Sequence, residues 1–407
     1  MPRLTIFYIY FHDVDFVPIH VDEVICELAR RGHRVHLFTS IRNAADNLRL
    51  RRANICLHNV RTLRARFISE LLFMVFLLPL VCWWVLRCRP HIIYCRHGAS
   101  NLVALLAARL FQTPCFFEVN DIVVDKLQFT KASWVKKAWT EFYHAFSLRY
   151  ADGILAVTSQ IAEWLRERYA IDPAKIMTVP NGVNIARFQP RSMESSRERY
   201  GLPRDCRVIL SLGSLFPWAG MEILVQAAAK VLAAHPNCVF AVGSAEQPYL
   251  GELQQMVRSA GLDKYFRFFG FIPWEDASHF ISTADLCVAP FVLKDTRSGI
   301  ASLRVLAYLA CGKPVVGSDI CGLGDWLERE SVGFSSPMGC SASMARVLVT
   351  ALNDGKLLRQ MGQRGRVLTV SGYSWQSIVD RLVHLFQRHY LASGRSAGNE
   401  NEDLPLR

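Results

Sequence analysis

The feature that most constrains this chain is an alternation of short apolar runs with helix-patterned stretches, played through twice along its length. Leu4–Tyr10 is a continuous apolar and aromatic run. His20–Arg31 follows, with Val21, Val24, Ile25, Leu28 and Ala29 on one helical face and Asp22, Glu23, Glu27 and Arg30 opposite. Gly32 closes that helix and Val35–Thr39 is the next strand. Further strands are predicted at Ile92–Tyr94, Cys115–Val119, Ile154–Thr158 and Met177–Val179. Runs apolar on both faces, alternating with helices, require a parallel sheet covered on both sides.

The second series follows Asn181-Gly182 and a polar stretch, Arg191–Arg199, that reads as a linker. Strands are predicted at Val208–Leu212, Cys238–Val242, Phe266–Phe269, Leu286–Pro290 and Pro314–Gly317. Helices are predicted at Gly220–His235, Leu250–Gly261, Glu275–Thr283 and Ala301–Cys311. Trp375–Leu391 is a last amphipathic helix, and Ala392–Arg407 is a polar tail expected to be disordered. The fold class is therefore α/β, two doubly wound Rossmann-like domains facing across a cleft. Their expected extents are 1–190 and 191–372, with a returning helix at 373–391 and the tail at 392–407. A length of 407 residues agrees, since one core stops growing near ~250–300 residues. Ligands belong at the carboxyl ends of the strands.

Lys and Arg number 47 against 35 Asp and Glu, a formal charge of +12. Nucleic acid is not the expected partner: the basic residues are scattered, as in Arg30-Arg31 and Arg51-Arg52, with no zinc-finger, RNP or homeodomain pattern. The excess is either a solvated basic face or a complement to an anionic membrane surface. One stretch bears on this. Phe67–Leu86 (FISELLFMVFLLPLVCWWVL) is interrupted only by Glu70 and Pro79 and is flanked by Arg64, Arg66, Arg87 and Arg89. It is long enough to span a bilayer, but it lies between strands of one sheet. Interfacial docking, with Trp83-Trp84 and the arginines at headgroup level, a buried core helix and a span all remain open. The 12 cysteines include no Cys-x-x-Cys pair and no zinc spacing, and Cys82, Cys115, Cys238 and Cys287 sit in apolar runs. The amino terminus opens directly as a strand with no cleavage-site pattern, so a reducing cytoplasm is expected.

Five segments then point to one family. VPNGVNIARF (Val179–Phe188) resembles the domain-junction motif VPNGV-x-x-x-x-F of the family 4 glycosyltransferases. Ile19-His20-Val21 with ELARRGH (Glu27–His33) resembles that family's first helix. Tyr94-Cys95-Arg96 with Phe117-Glu118-Val119-Asn120 resembles its Y-x-R and EVN segments. GSLFPWAG (Gly213–Gly220) resembles the GSLxPWxG form of its diphosphate loop, and Ser298–Pro314 (SGIASLRVLAYLACGKP) resembles its donor helix. The matches run in order from about residue 4 to 390.

The resemblance implies a GT-B fold and transfer of a sugar from a nucleotide-sugar donor with retention of configuration. It implies no cofactor and no essential metal, and His12, Asp13 and Asp15 show no metal spacing. It implies an acceptor that is lipid-linked or a cell-surface polysaccharide precursor, and a last helix that packs back on the first domain; the apolar, Arg-flanked segment itself adds the expectation of a peripheral position on the cytoplasmic membrane through 67–86. The donor residues it implies are Gly213, Ser214, Trp218, Ile272, Ser298, Ala301, Ser302, Leu303 and Arg304. A glycine turn and a helix amino terminus supply N–H donors to a diphosphate, and Arg304 adds a bidentate contact unless it is only a surface residue. On the acceptor side His20, Glu118 and Asn120 are the catalytic-centre candidates. Glu118 and Asn120 end an apolar strand, where a carboxylate is out of place for packing, and a cleft role in orienting a sugar is expected. His20 is either a substrate contact or a core or cap histidine. Arg96 and His97 either bind an acceptor phosphate or are loop residues. The chain also departs from the family. Ala307 stands where a ribose-gripping Glu precedes Tyr308, Gly299 where the first Glu of Glu-x7-Glu falls, Ser214 at the usual Arg position and Ala219 at a Lys or His position. A catalytically degenerate scaffold partner of an active transferase is thus the rival expectation.

Overall fold

The computed structural model describes residues 3–11, 19–40, 55–60, 68–96, 98, 100–120, 133–244, 248–292 and 302–392. Seven strands form the first sheet: β1 (Thr5–Tyr10), β2 (Arg34–Thr39), β3 (Cys56–Asn59), β4 (Ile92–Arg96), β5 (Cys115–Val119), β6 (Gly153–Ala156) and β7 (Ile176–Thr178). They lie in the order β3-β2-β1-β4-β5-β6-β7, every neighbouring pair parallel. The helices beside them are α1 (Ile19–Arg30), α2 (Ile68–Cys88), α3 (Asn101–Leu110), α4 (Trp134–Tyr150) and α5 (Ser159–Tyr169).

After α6 (Met193–Arg199) comes a second parallel sheet of β8 (Arg207–Leu212), β9 (Cys238–Gly243), β10 (Phe266–Phe268), β11 (Leu286–Ala289), β12 (Val315–Asp319) and β13 (Gly333–Pro337). Its order is β10-β9-β8-β11-β12-β13. Around it run α7 (Met221–Ala234), α8 (Pro248–Ser259), α9 (Ala277–Ser282), α10 (Leu303–Ala310), α11 (Leu323–Arg329), α12 (Ser341–Asn353) and α13 (Gly355–Gly372). In both sheets the chain starts in the middle, walks to one edge and returns to build the other side. That reversal opens a crevice at the carboxyl ends of β1 and β4, and again at β8 and β11. The fold is the expected pair of Rossmann-like sheets.

Three features differ from the sequence reading or sharpen it. Residues 193–199 are a helix rather than a linker. Ser192 caps it by accepting from the Ser195 N–H, and buried Arg197 pairs with Asp285 at 2.8 Å while donating to the Thr283 and Cys206 carbonyls. Polar composition hid that anchoring, because the partners lie far along the chain. The last helix, α14 (Trp375–Ala392), packs Trp375, Ile378, Leu382 and Phe386 against Val21 and Ile25 of α1 and Tyr94 and Phe116 of the first sheet. Each such side chain contributes about 1.5–3 kcal/mol on burial. Finally, α2 seats a stripe of Phe73, Leu77, Val81 and Val85 on the first sheet's core. The helix is not fully buried, since Leu71, Val75, Phe76, Trp83 and Leu86 stay exposed, and it is long and apolar enough to cross a membrane by length and composition. Phe67, Arg64 and Arg66, the cluster His12, Asp13 and Asp15, and the tail from 393 lie outside the described residues. All twelve cysteines are free.

Candidate active site

The first crevice gathers a buried polar network at the carboxyl edge of the sheet. Glu118 is the fourth residue of β5, Tyr94 the third of β4, and His20 the second of α1. His20 Nε2 lies 2.5 Å from Glu118 Oε1. The Asn120 amide donates to the same oxygen, and the Tyr94 hydroxyl donates to Oε2. Glu118 is 3% exposed. Burial alone raises a carboxyl pKa, yet His20, Arg96 and Tyr94 outweigh it and hold Glu118 at about 2. Glu118 is therefore an anion at neutral pH, a fixed orienting group and not a proton donor. His20 Nδ1 is buried with no hydrogen-bond partner among the described residues. Its ring meets Trp375 of α14 edge-on at 5.0 Å. Arg96, opposite Glu118 in the β4–β5 register, lies over the Tyr10 ring at 5.6 Å.

This centre differs from the expected cleft position. His20 and Glu118 line a void of about 10 Å³, room for roughly one water, closed on one side by Ile378 and Leu382. The returning helix covers them. A sequence-local reading puts a strand-end carboxylate in open solvent, but a helix contributed from the far end of the chain encloses it.

The second crevice is built from backbone and one cation. Gly213 follows β8 with φ +132°, and a Cβ there would stand 2.8 Å from Arg304 Nε. Gly220, at φ +67°, has the Pro290 carbonyl oxygen 1.7 Å from where its Cβ would be, so only glycine fits. Arg304, in the first turn of α10, donates from Nη2 to the Ser214 carbonyl at 2.9 Å and lies over the Phe291 ring at 5.5 Å. Its Nη1 is enclosed with no hydrogen-bond partner among the described residues. A guanidinium nitrogen left so beside a glycine turn and a helix amino terminus is arranged to receive an anion. The Tyr308 hydroxyl fixes the crevice floor, accepting from the Leu212 N–H at 2.7 Å and donating to its carbonyl at 3.0 Å. Ser302 caps α10 by accepting from the Val305 N–H at 3.4 Å.

Between the domains lies a cleft of about 450 Å³. Thr158, Ser159, Gln160 and Asn181 line one side, Ser302, Leu306, Trp326 and Arg329 the other, with Arg381 of α14 at its edge. Of the described candidate site residues only Ser302 lines it.

Residues 17–187 match the family described as Glycosyltransferase Family 4, and residues 192–368 match Glycosyl transferases group 1. The chain belongs to the family 4 glycosyltransferases. It is similar to the D-inositol 3-phosphate glycosyltransferase of Geodermatophilus obscurus, with 28% identity over 245 residues, 57% of this chain and 52% of that protein. The chain thus spans about half the length of the curated relatives it matches. Among solved structures, a glycosyltransferase of Rickettsia africae aligns over 96% of this chain and 99% of its own, at 16% identity and TM-score 0.77. The Anabaena protein HepE, in complex with UDP, aligns over 95% of this chain and 100% of its own at 17% identity and TM-score 0.76. At those identities the structures establish the GT-B fold.

In this glycosyltransferase, the three catalytic candidates His20, Glu118 and Asn120 come together in one network, and Gly213, Ser214, Ser302, Leu303 and Arg304 gather round the second crevice. Trp218 is exposed and stacks on Phe216 at 4.3 Å, and Ile272 lies against the end of β9 at Gly243. His97, Ser298, Gly299 and Ala301 lie outside the described residues. Ala219 and Ala307, two of the expected departures, are both buried in the second domain's core. Tyr94 and Trp375 were not singled out from sequence. Tyr94 sits within the quoted Y-x-R segment, which was its available signal; Trp375 had none, since only the fold brings it to His20.

Proposed function

We propose that this chain transfers a sugar from a nucleotide-sugar donor, with retention of configuration and without an essential metal, to a lipid-linked or polysaccharide-precursor acceptor at the cytoplasmic membrane surface. The carrying observation is Arg304: its enclosed Nη1, without a partner among the described residues, lies beside Gly213 and the start of α10 and suits a diphosphate. In this reading Gly213, Ser214, Ser302 and Leu303 bring backbone groups to the donor, while Trp218 and Ile272 border it. The Glu118 anion fixes His20 and Asn120 where donor and acceptor sugars meet, and Arg96 attracts an acceptor phosphate. The exposed side of α2 holds the enzyme at the membrane that carries its acceptor. Incubating membranes containing the protein with a panel of labelled nucleotide sugars, with and without EDTA, tests this. Transfer unaffected by EDTA is expected; no transfer or hydrolysis with any donor contradicts it.

A second reading, a catalytically degenerate partner of an active transferase, is favoured by the burial of Ala219 and Ala307. It predicts that neither UDP nor GDP binds.

A further inference from the structure

The helix α4 turns most of its apolar residues outward. Its buried side carries Thr140, Tyr143, His144, Ser147 and Leu148, whereas Val135, Trp139, Phe142, Phe146 and Tyr150 form one stripe at steps of four, three, four and four residues. A helix normally turns such a stripe to the core. Here Phe142 is 53% exposed and Phe146 42%, and Trp139, Phe142, Phe146 and Tyr150 follow one another as a ladder of ring contacts at 5.8, 5.8 and 4.9 Å. Five apolar residues on one stripe, four of them exposed and Trp139 partly so, are not the scattered apolar residues of an ordinary soluble surface.

The ladder does not stand alone. The helix α3 packs between α2 and α4, and it turns Leu106 and Leu110 outward. Arg109 of α3 donates to the Tyr150 carbonyl, tying the ends of α3 and α4 together. On the other flank is the exposed side of α2, with Phe76 and Trp83. Three adjacent helices thus expose apolar side chains. Basic residues accompany them: Arg87 over the Trp83 ring at 5.4 Å, Arg109, and exposed Lys136, Lys137 and Arg149 on α4, against Glu141 as that helix's one acidic residue. Apolar and aromatic groups accompanied by cations match an anionic bilayer surface, where rings sit at headgroup depth and each cation adds attraction.

We infer that α3 and α4 form the second half of a bilayer-docking face whose first half is α2, so that the first domain rests on anionic lipid through three helices rather than one. This rests on the docking of α2 proposed above, and not on sugar transfer. The test is flotation of the full chain with vesicles of phosphatidylglycerol and phosphatidylcholine. The variants are Phe142→Ser with Phe146→Ser on α4, and Phe76→Ser with Trp83→Ser on α2. Each pair is expected to weaken vesicle affinity at least about tenfold with the melting temperature retained, and high salt to weaken the wild type. Hydrogen exchange over Trp134–Tyr150 is expected to slow when vesicles are added. If the α2 pair weakens binding but the α4 pair and the exchange of 134–150 do not respond, the three-helix face is wrong and α2 docking stands. If the wild type ignores vesicles, both fail. If the chain dimerises without lipid and the α4 pair dissolves the dimer, the face belongs to a second copy and the inference is overturned.

Discussion

The two switch-point crevices of this glycosyltransferase share a topology and differ in chemistry. In the first, Glu118 is an enclosed anion with His20, Tyr94 and Asn120 converging on it. In the second, Arg304 is a cation with one nitrogen unanswered among the described residues, and Ala219 and Ala307 are buried. In each centre one buried nitrogen, His20 Nδ1 or Arg304 Nη1, has no hydrogen-bond partner among the described residues; the first is otherwise joined through side chains, the second through backbone. The comparison teaches that the sheet order fixes where each centre lies, while side chains decide which is scaffold and which is binding site. The account holds that these duties separate, and each variant below is a way to break that separation.

The largest effect is expected at Glu118. Glu118→Gln keeps the shape but removes the charge that orients His20, and transfer should fall about 100-fold or more. UDP or GDP affinity should stay unchanged, because the second crevice is untouched; a parallel loss of nucleotide affinity would break the comparison. Next comes Arg304→Ala, for which calorimetry should show nucleotide affinity falling roughly tenfold to a hundredfold, the value of one charged hydrogen-bonding contact. Its melting temperature should move little, since the folded state loses the donor to Ser214 and the contact with the Phe291 ring.

Acid should distinguish the domains. In the first sheet His36 and His58 touch at 2.9 Å, and burial lowers their pKa values from 6.5 to about 3 and about 4, the His58 charge adding to the effect at His36. The folded state resists protons that the unfolded chain takes up near pH 6.5. Stability is therefore full above that pH and falls as pH drops toward 4, by about 1.4 kcal/mol per pH unit for each imidazole. Glu118 works at lower pH. Its folded value of about 2 lies below the ordinary 4.5, so its contribution is present above 4.5 and is lost between there and 2. Thermal melts from pH 8 to pH 3, with His58→Phe flattening the upper part of the slope, check the sign. The smallest effect expected is a gain. Ala307→Glu, one turn along α10 from Arg304, should tighten nucleotide binding about three- to tenfold by restoring a ribose acceptor. A loss of stability without tighter binding would show that the core has closed over that position.

Much of the fold was legible because parallel strands buried on both faces are continuous apolar runs, as in Leu4–Tyr10 and Cys115–Val119. The edge strand β3 was not, since its four residues, Cys56 to Asn59, are only half-buried and two of them are polar. At the site, chemistry carried by local motifs was legible: Glu118 with Asn120, and Gly213 with Arg304. What sequence does not encode locally is enclosure. Trp375 meets His20 only because α14 returns across both domains, and that return is why Glu118 is buried rather than open to the cleft. Periodicity likewise reports a stripe on Trp134–Tyr150 but not which way it faces.

The central claim is the division of duty between a positioning centre and an anion-binding centre. It is tested most directly by titrating UDP and GDP into wild type, Arg304→Ala and Glu118→Gln side by side in a calorimeter. The account predicts that at least one nucleotide binds the wild type, that Arg304→Ala weakens it at least about tenfold, and that Glu118→Gln binds as wild type does. Absence of binding by both nucleotides, or equal affinity in wild type and Arg304→Ala, would contradict it.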